Sequence, residues 1–320
     1  MDTRIQGKPR RVPARRTALV TGGTGGIGRA VAIRLAHGGD RVIFVGRNQE
    51  RGAAVLTALR DISPGVEHAF LPADLSLLSA TADVGDRVAM LTDRVDAAVF
   101  CAGILSTVPE WTAEGLERNF VLNYLTRYLL ARRLLPALQA APSGRLVLVA
   151  NAGRYKDSLD FDDLQHRKGK PGLAVSGRTQ FANDLLATEL AERVHGTRVE
   201  VTCVFPGVVR TEVFRNAIGL PLMLRLLAPV LQGLLARSPE AAAETAVFLA
   251  QDDHAVGTGG KFYGPKIKER VVPERALRRE RRAMLWTASE ALVRPHLTLT
   301  ASGHEPIGAP AEVIQAAAAE

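Results

Sequence analysis

The chain has few cysteines and few aromatic side chains for its length. Only two of its 320 residues are cysteines, Cys101 and Cys203, and both lie in apolar, strand-like segments. This excludes a disulfide framework, and we expect a protein of the reducing cytoplasm. Phe, Trp and Tyr together make up 5% of the residues, which argues against an aromatic surface for stacking single-stranded nucleic acid. We therefore expect no nucleic-acid partner.

Long apolar segments are also absent. Residues 1–16 (MDTRIQGKPRRVPARR) lack the apolar region of a secretory signal. No uninterrupted apolar stretch elsewhere reaches the length that a membrane span needs. No internal repeat is present, so these absences, with the cysteine content, favour a cytoplasmic globular protein.

The formal net charge of +8 is unevenly distributed. Residues 1–16 carry six basic and one acidic side chain, and residues 261–282 carry nine basic and three acidic ones. The remainder holds 26 basic and 29 acidic side chains, so the body of the fold is slightly acidic. Solvated flanks are one interpretation of the two basic segments, and contact with an acidic partner or a membrane surface is the other.

Apolar segments of strand length alternate with segments of helical periodicity. Strands are predicted at 17–21, 41–45, 66–72, 95–101, 144–149 and 199–205, and helices at 27–36, 53–60, 112–138, 180–194 and 276–293. This alternation predicts a Rossmann-type α/β fold, a doubly wound parallel sheet between two helical layers, with its ligand site at the carboxyl ends of the strands. We expect one domain over 17–294, between a basic disordered tail (1–16) and a disordered or weakly helical tail (295–320).

A glycine-rich turn, TGGTGGIG (residues 21–28), follows the first predicted strand and opens the first helix. Gly22 permits a tight turn, Gly26 lets the backbone approach a pyrophosphate, and Gly28 allows the helix to pack closely on the sheet. The helix N-terminus offers unpaired N–H groups to phosphate. The turn predicts a dinucleotide site, with a purely structural turn as the alternative.

The end of the second strand indicates which dinucleotide binds. Arg47 stands where an acidic residue would bind an unphosphorylated ribose, and it can pair with a 2′-phosphate. Arg29 can supply a second positive charge, so we predict NADP(H); two solvated arginines are the alternative. Asp74, followed by Leu75, either contacts the adenine or caps a helix.

Nine motifs, in order, make the chain resemble a short-chain dehydrogenase/reductase of the retinol dehydrogenase-like branch. Over residues 17–294 they are TGGTGGIG, VIFVGRN, ADLS, VFCAGIL, NFVLNYL, LDFDDLQ, QFANDLLATELA, FPGVVRTEV and LWTASEALV. The resemblance implies an NADP(H) cofactor, homo-oligomers, and redox chemistry between alcohols and carbonyls. With the turn and the loops after the later strands, it marks these expected cofactor contacts: Gly22, Thr24, Gly26, Ile27, Gly28, Arg47, Asp74, Leu75, Ala102, Gly103, Pro206, Gly207 and Thr211. We expect no metal site.

The family's catalysis depends on a tyrosine, a lysine one helical turn later, a serine and an asparagine. The asparagine corresponds to Asn123, and Asn151 falls at the serine position. Counting back from QFANDLLATELA places the tyrosine and lysine at Ser176 and Gln180. Counting forward from PGLA (residues 171–174) places them one residue earlier, at a valine and a threonine. We therefore expect an atypical active site in which the usual proton donor is replaced.

Few side chains could replace that donor. Tyr155 lies four residues past Asn151, and Ser176 is in place but weakly acidic. Arg178 could polarise an oxygen without giving up a proton, and the reach of His166 is open. A plain surface or packing role is the alternative for each of them.

An apolar segment follows the Pro-Gly loop, with its most apolar part at 217–235. In the family this region, here about 212–237, covers the substrate, which implies a bulky apolar ligand. Packing helices and contact with a membrane surface are the alternatives.

Three functions remain open at this point. The first is an atypical NADP(H)-dependent oxidoreductase acting on a bulky apolar alcohol or carbonyl. The second is an enzyme with non-redox chemistry, such as a cyclase, dehydratase, epimerase or isomerase. The third is a catalytically silent scaffold or sensor.

Overall fold

The computed structural model describes residues 15–210, 219 and 236–297. The strands are β1 (Thr17–Thr21), β2 (Arg41–Gly46), β3 (Ala69–Pro72), β4 (Ala97–Phe100), β5 (Gly144–Val149), β6 (Val199–Val204), β7 (Phe262–Tyr263) and β8 (Glu269–Arg270). The helices are α1 (Gly26–His37), α2 (Gln49–Ile62), α3 (Leu78–Leu91), α4 (Arg118–Phe120), a π-helical segment (Val121–Leu125), α5 (Thr126–Gln139), α6 (Ala174–Arg193), α7 (Pro239–Gln251), α8 (Glu274–Leu277) and α9 (Arg279–Val293).

All described strands form one sheet, in the order β3-β2-β1-β4-β5-β6-β7-β8. The strands from β3 to β7 run parallel, and β8 pairs antiparallel with β7 at the edge. The strand order reverses between β1 and β4, where a doubly wound sheet opens a crevice at its carboxyl edge. The predicted single-domain, doubly wound α/β fold is confirmed.

The sheet is buried on both faces, which explains its continuous apolar strands. One core lies beneath α3, α5 and α6, and its strand residues include Leu19, Ala98 and Leu148. The other lies beneath α1, α2 and α7, and it contains Val20 and Val99. Because neighbouring strand residues face opposite cores, the strands hold the carboxyl edge rigidly between two helical layers.

Three of the differences from the predicted helix boundaries have a visible cause. The helix predicted at 112–138 begins only at Arg118, because the side chain of Glu117 accepts hydrogen bonds from the Asn119 and Phe120 N–H groups and starts the helix there. α6 begins six residues earlier than predicted, since its first turns are buried by the surrounding loops. The C-terminal helix is interrupted at Arg278, where the backbone is extended.

Some sequence predictions fall on residues that the structure does not describe. These residues are Thr211, nearly all of the apolar segment 212–237, and most of the two tails, 1–16 and 295–320. Among the described helices, none combines the length and the apolar character that crossing a bilayer requires.

Candidate functional site

The turn between β1 and α1 forms an anion-binding cradle at the carboxyl edge. Gly22 (φ 69°) and Gly26 (φ 51°) take left-handed conformations, which favour glycine. No described side chain caps α1, whose N-cap is Gly25, so its first N–H groups are available to a phosphate. A Cβ atom on Gly28 would overlap the carbonyl oxygen of Gly22, so the helix packs directly on the turn. These features fit a dinucleotide pyrophosphate.

The second strand ends beside this turn. Gly46 packs against Thr24, since a Cβ atom at residue 46 would collide with the threonine side chain. Arg47 follows and is exposed, as is Arg29 in α1. The side chain of Asn48 then caps α2 by accepting a hydrogen bond from the Arg51 N–H at 2.8 Å. Thr24 and Arg47 are thus brought to the same rim of the turn.

Asp74 lies past β3 in a local turn. Its carboxylate accepts hydrogen bonds from the backbone N–H and the hydroxyl of Ser76, at 3.0 and 2.8 Å. The first N–H groups of α3 are instead capped by Glu114, which accepts from Leu78 and Ser79 at 2.6 and 2.9 Å. The interpretation of Asp74 as a helix cap is therefore wrong.

Backbone atoms at the end of β4 form the floor of the crevice. The hydroxyl of Thr21 accepts hydrogen bonds from the N–H groups of Cys101 and Ala102, at 3.1 and 3.2 Å. Gly22 lies so close to Ala102 that an added Cβ atom would be 3.0 Å from its backbone. Gly103 is exposed. Ala102 and Gly103 therefore adjoin the cradle. Leu75 is instead buried in the core beneath α3, α5 and α6, and Ile27 packs at the edge of the core beneath α1, α2 and α7.

The loop after β6 borders the crevice on its other side. Pro206 is buried, and Gly207 has a left-handed backbone with φ 92°. Arg237 lies along this loop and donates a hydrogen bond to the Pro206 carbonyl at 3.4 Å. The carboxyl ends of β1, β4 and β6 thus bring the glycine turn, the Ala102–Gly103 segment and the Pro206–Gly207 loop to one edge of the sheet.

Asn123 occupies the centre of the π-helical segment. Within that segment the Thr126 N–H bonds to the Val121 carbonyl, five residues earlier. The Asn123 side chain accepts a hydrogen bond from the Ile104 N–H at 2.8 Å and donates to the Ile104 carbonyl at 3.0 Å. Asn183 of α6 donates to the backbone carbonyl of Asn123 at 2.9 Å. Local widening of a helix of this kind is frequent at functional sites.

Ser176 is buried and already hydrogen-bonded. Its hydroxyl accepts from the Ser106 N–H at 3.0 Å, and the Ser106 carbonyl and the Asn119 side chain lie within donating distance, at 2.9 and 3.0 Å. Gln180, one turn later, is half-buried. The hydroxyl of Thr179 accepts a hydrogen bond from the Asn123 side chain at 3.2 Å. α6 contains neither tyrosine nor lysine.

Asn151 and Tyr155 lie on the segment that leaves β5. Asn151 is half-buried immediately past the strand, where its amide can donate a hydrogen bond to a ligand oxygen. Tyr155 is 39% exposed, and its ring packs over Gly177 at the start of α6. Arg275 of α8 holds this segment by donating to the carbonyls of Tyr155 and Gly153, at 2.8 and 3.0 Å.

Two of the other proton-donor candidates are engaged elsewhere. Arg178 forms a 2.9 Å ion pair with Glu117, and both side chains are almost completely buried. Arg178 also donates to the Leu164 carbonyl. The ring of His166 is within hydrogen-bond distance (3.0 Å) of the Lys170 carbonyl in the same loop. Tyr155 is the candidate that the structure leaves exposed next to α6.

Two loops beside the crevice are joined by side-chain contacts. The guanidinium of Arg167 lies over the Trp111 ring, 4.1 Å from its centre, and donates to the Gly115 carbonyl at 3.0 Å. The side chain of Gln165 accepts a hydrogen bond from the Glu117 N–H at 3.0 Å. The loop before α4 and the loop before α6 therefore form one connected wall.

Comparison with known proteins identifies the family. Residues 16–160 match the model of the short chain dehydrogenases. Human retinol dehydrogenase 14 is 30% identical over 291 residues, covering 87% of this chain and 86% of the relative. The chain belongs to the short-chain dehydrogenase family. Mouse polyprenol dehydrogenase is 32% identical over 253 residues, covering 77% of this chain and 75% of the relative.

A solved structure supports the same fold. A short-chain dehydrogenase from Shigella flexneri complexed with NADP superposes with a TM-score of 0.59 and 23% identity, covering 78% of this chain and 96% of the other. The short-chain dehydrogenases are oxidoreductases that use nicotinamide cofactors, which carry the hydride when bound. In this member, the uncapped helix N-terminus and the glycine turn fit such a cofactor.

Three residues of this short-chain dehydrogenase's site were not found from its sequence. Asn183 binds the Asn123 carbonyl, Glu117 pairs with Arg178, and Arg127 donates to the Ala102 carbonyl. A polar residue at a buried position of a helix, such as Asn183 among the apolar residues of α6, is the one signal that could have found them. The hydrogen-bond and ion-pair partners of these residues are distant in sequence, so the contacts themselves could not be predicted.

Asp184 lies under the segment that carries Asn151. Its two carboxylate oxygens are each 3.0 Å from the Gly153 N–H, and the residue is fully buried. Burial raises the pKa of Asp184 to about 7, opposed by the Gly153 hydrogen bond and by Arg275 and Arg270. Burial thus moves the titration of this carboxyl from the acidic range of an ordinary aspartate towards neutral pH.

We expect the Asp184→Asn variant to lose part of the pH dependence of stability. The folded carboxyl has the higher pKa, so the folded state binds more protons, and the free energy of unfolding falls as pH rises from about 4 to 7. Asparagine keeps an acceptor for Gly153 without ionising. Each pKa unit corresponds to about 1.4 kcal/mol, so above pH 7 the variant should be more stable than the wild type by a few kcal/mol.

Urea unfolding at pH 5 and pH 8 measures this effect. Asp157→Asn is the matched control, because that carboxylate lies near the surface in an ion pair with Arg281. Parallel pH profiles for wild type and Asp184→Asn would contradict the assignment.

Proposed function

We propose that this chain is an NADP(H)-dependent oxidoreductase that interconverts a bulky apolar alcohol and the corresponding carbonyl. The observation that carries the cofactor preference is Arg47, exposed at the rim of the glycine turn where β2 ends. A guanidinium there can pair with a 2′-phosphate, and it offers no acceptor to an unphosphorylated ribose. Arg29, exposed one helical turn into α1, adds positive charge.

The substrate class is inferred from the relatives. Their names give retinol and polyprenol as substrates, which are both long apolar alcohols. We propose a substrate of the same character here, with Asn151 donating a hydrogen bond to its oxygen. The wall formed by the loops before α4 and α6 carries an exposed aromatic surface, since Trp111 is 43% exposed.

The proposed site is atypical in its supply of protons. At the two positions that the resemblance assigns to tyrosine and lysine, the hydroxyl of Ser176 is buried and bonded, and Gln180 carries no charge. We propose that water or Tyr155 exchanges the proton with the substrate oxygen. Losing a positioned general acid slows a reaction by about 10²- to 10⁴-fold, so we expect a slow enzyme.

Hydride transfer tests the activity directly. NADPH oxidation is followed at a fixed enzyme concentration with a panel of long-chain apolar aldehydes and ketones, with product identified by mass. Stoichiometric NADPH consumption is the expected result. Tight NADPH binding without hydride transfer to any member of the panel would contradict the redox proposal, and a product of unchanged oxidation state would favour non-redox chemistry.

We expect Arg47→Ala to weaken the preference for NADPH over NADH. Removing one charge-assisted pair costs about 1.5–3 kcal/mol, so NADPH affinity should fall by about 10- to 150-fold while NADH affinity changes little. Arg60→Ala is the matched control, since Arg60 is also exposed but lies in the last turn of helix α2. Fluorescence titration with both cofactors measures the change; equal losses for NADPH and NADH, or for the two variants, would contradict it.

A further inference from the structure

Arg127 of α5 is buried in a neutral environment. The residue is 4% exposed. One terminal nitrogen donates to the Asn183 side chain at 3.2 Å and the other to the Ala102 carbonyl at 2.9 Å. The Nε atom is buried without a hydrogen-bond partner among the described residues. Burial lowers the pKa of this guanidinium to about 10, so it stays charged at neutral pH.

The other buried arginines show what Arg127 lacks. Each of them forms an ion pair with a carboxylate: Arg133 with Asp86, Arg145 with Glu200, Arg178 with Glu117, and Arg282 with Glu189 and Glu192. Within the part of the chain that the structure describes, Arg127 has no carboxylate at ion-pair distance. A buried charge without a counter-ion is costly, and an anion bound nearby would offset that cost.

The guanidinium lies directly behind the cofactor cradle. Its acceptor, Ala102, adjoins Gly22 of the turn, and the Nη2 atom is 3.8 Å from where a Cβ atom on Gly103 would be. Its other acceptor, Asn183, bonds the Asn123 carbonyl at 2.9 Å. The charge therefore lies between the phosphate-binding turn and Asn123, at the carboxyl edge of the sheet.

We propose that Arg127 is a buried counter-charge for the anionic dinucleotide, attracting its phosphates through the crevice floor formed by Ala102 and Gly103. It acts as a positioning residue through the backbone of that floor. This inference rests on the proposed function. The attraction between two opposite unit charges about 10 Å apart, at an effective dielectric constant of about 20, strengthens the binding of a charged ligand on the order of tenfold.

Arg127→Met tests the proposal, with Arg127→Gln as a second neutral variant that keeps a donor for Ala102. Both are expected to weaken binding of NADPH and of inorganic pyrophosphate about tenfold, whereas Arg127→Lys stays within threefold of the wild type. The thermal midpoint of the ligand-free neutral variants should be unchanged or higher, because an unpaired buried charge is removed. A purely structural role would lower the midpoint instead.

Arg132→Met is the control on the same helix. Arg132 is also largely buried, but it pairs with Glu290 and lies over the rings of Tyr128 and Trp286. This variant should lose stability and keep NADPH affinity within twofold. Folded Arg127→Met and Arg127→Gln proteins that bind NADPH like the wild type would overturn the inference alone. A wild-type protein that binds neither probe would overturn the proposed function, and the inference with it.

Discussion

Arg178→Met is expected to lower the free energy of unfolding by about 3–5 kcal/mol, because it leaves a buried carboxylate without its counter-ion. Glu117 is 0% exposed and accepts hydrogen bonds from Arg178 at 2.9 Å and from the Asn119 and Phe120 N–H groups at 2.9 and 2.8 Å. The variant also removes the donor to the Leu164 carbonyl. The variant therefore breaks the contacts that join α6 to the start of α4 and to the loop before α6.

Chemical unfolding with the Arg118→Met variant as control measures this cost. Arg118 pairs with Glu110 at 3.0 Å, but the side chains are 29% and 37% exposed, so its loss should cost less than about 1 kcal/mol. The paired variant Glu117→Gln with Arg178→Met should recover part of the stability, because it removes the uncompensated charge. Equal costs for Arg178→Met and Arg118→Met would show that burial of the pair is unimportant.

Gly28→Ala is expected to weaken NADPH binding while leaving the protein folded. The new Cβ atom would overlap the Gly22 carbonyl oxygen, so α1 and the turn must separate. Overpacking of this kind costs about 1–3 kcal/mol. When the phosphate-binding turn is the part that moves, NADPH affinity should fall by about 5- to 150-fold.

Gly25→Ala controls for an added methyl group in the same turn. Residue 25 has an extended backbone (φ −166°), and an added Cβ atom meets nothing within 4 Å. Its NADPH affinity should stay within threefold of the wild type in fluorescence titrations, with circular dichroism confirming the fold of both variants. A Gly28→Ala protein that binds NADPH normally would mean that the cofactor does not depend on this turn.

The fold was predictable because its strongest signals are local. Buried parallel strands have short, continuous apolar sequences. The tight turn after β1 requires glycine at specific positions, so it is also visible in the sequence. The strand positions were therefore right, with shorter bounds at β3 (Ala69–Pro72) and β4 (Ala97–Phe100). The short β7 and β8 at the sheet edge were not predicted, since two residues carry no periodicity, and helices α3 and α7 were not predicted either.

The site was less predictable because its chemistry depends on contacts between distant residues. The π-helical segment around Asn123 has the same apolar pattern as an ordinary helix, so nothing in the sequence marks it. Asp74 precedes α3 as a cap would, yet Glu114, 36 residues from Leu78, supplies the capping carboxylate. Arg127 looks like one of many arginines until Asn183 and Ala102 are seen to be its neighbours.

The two tryptophans occupy opposite environments. Trp286 is 8% exposed and packs edge-on against Tyr128, while Trp111 is 43% exposed beneath Arg167 in the wall formed by the loops before α4 and α6. Trp286→Phe would leave Trp111 as the single indole of the chain. Its emission would then report, without any attached dye, when an apolar molecule or a reduced nicotinamide comes close to that wall.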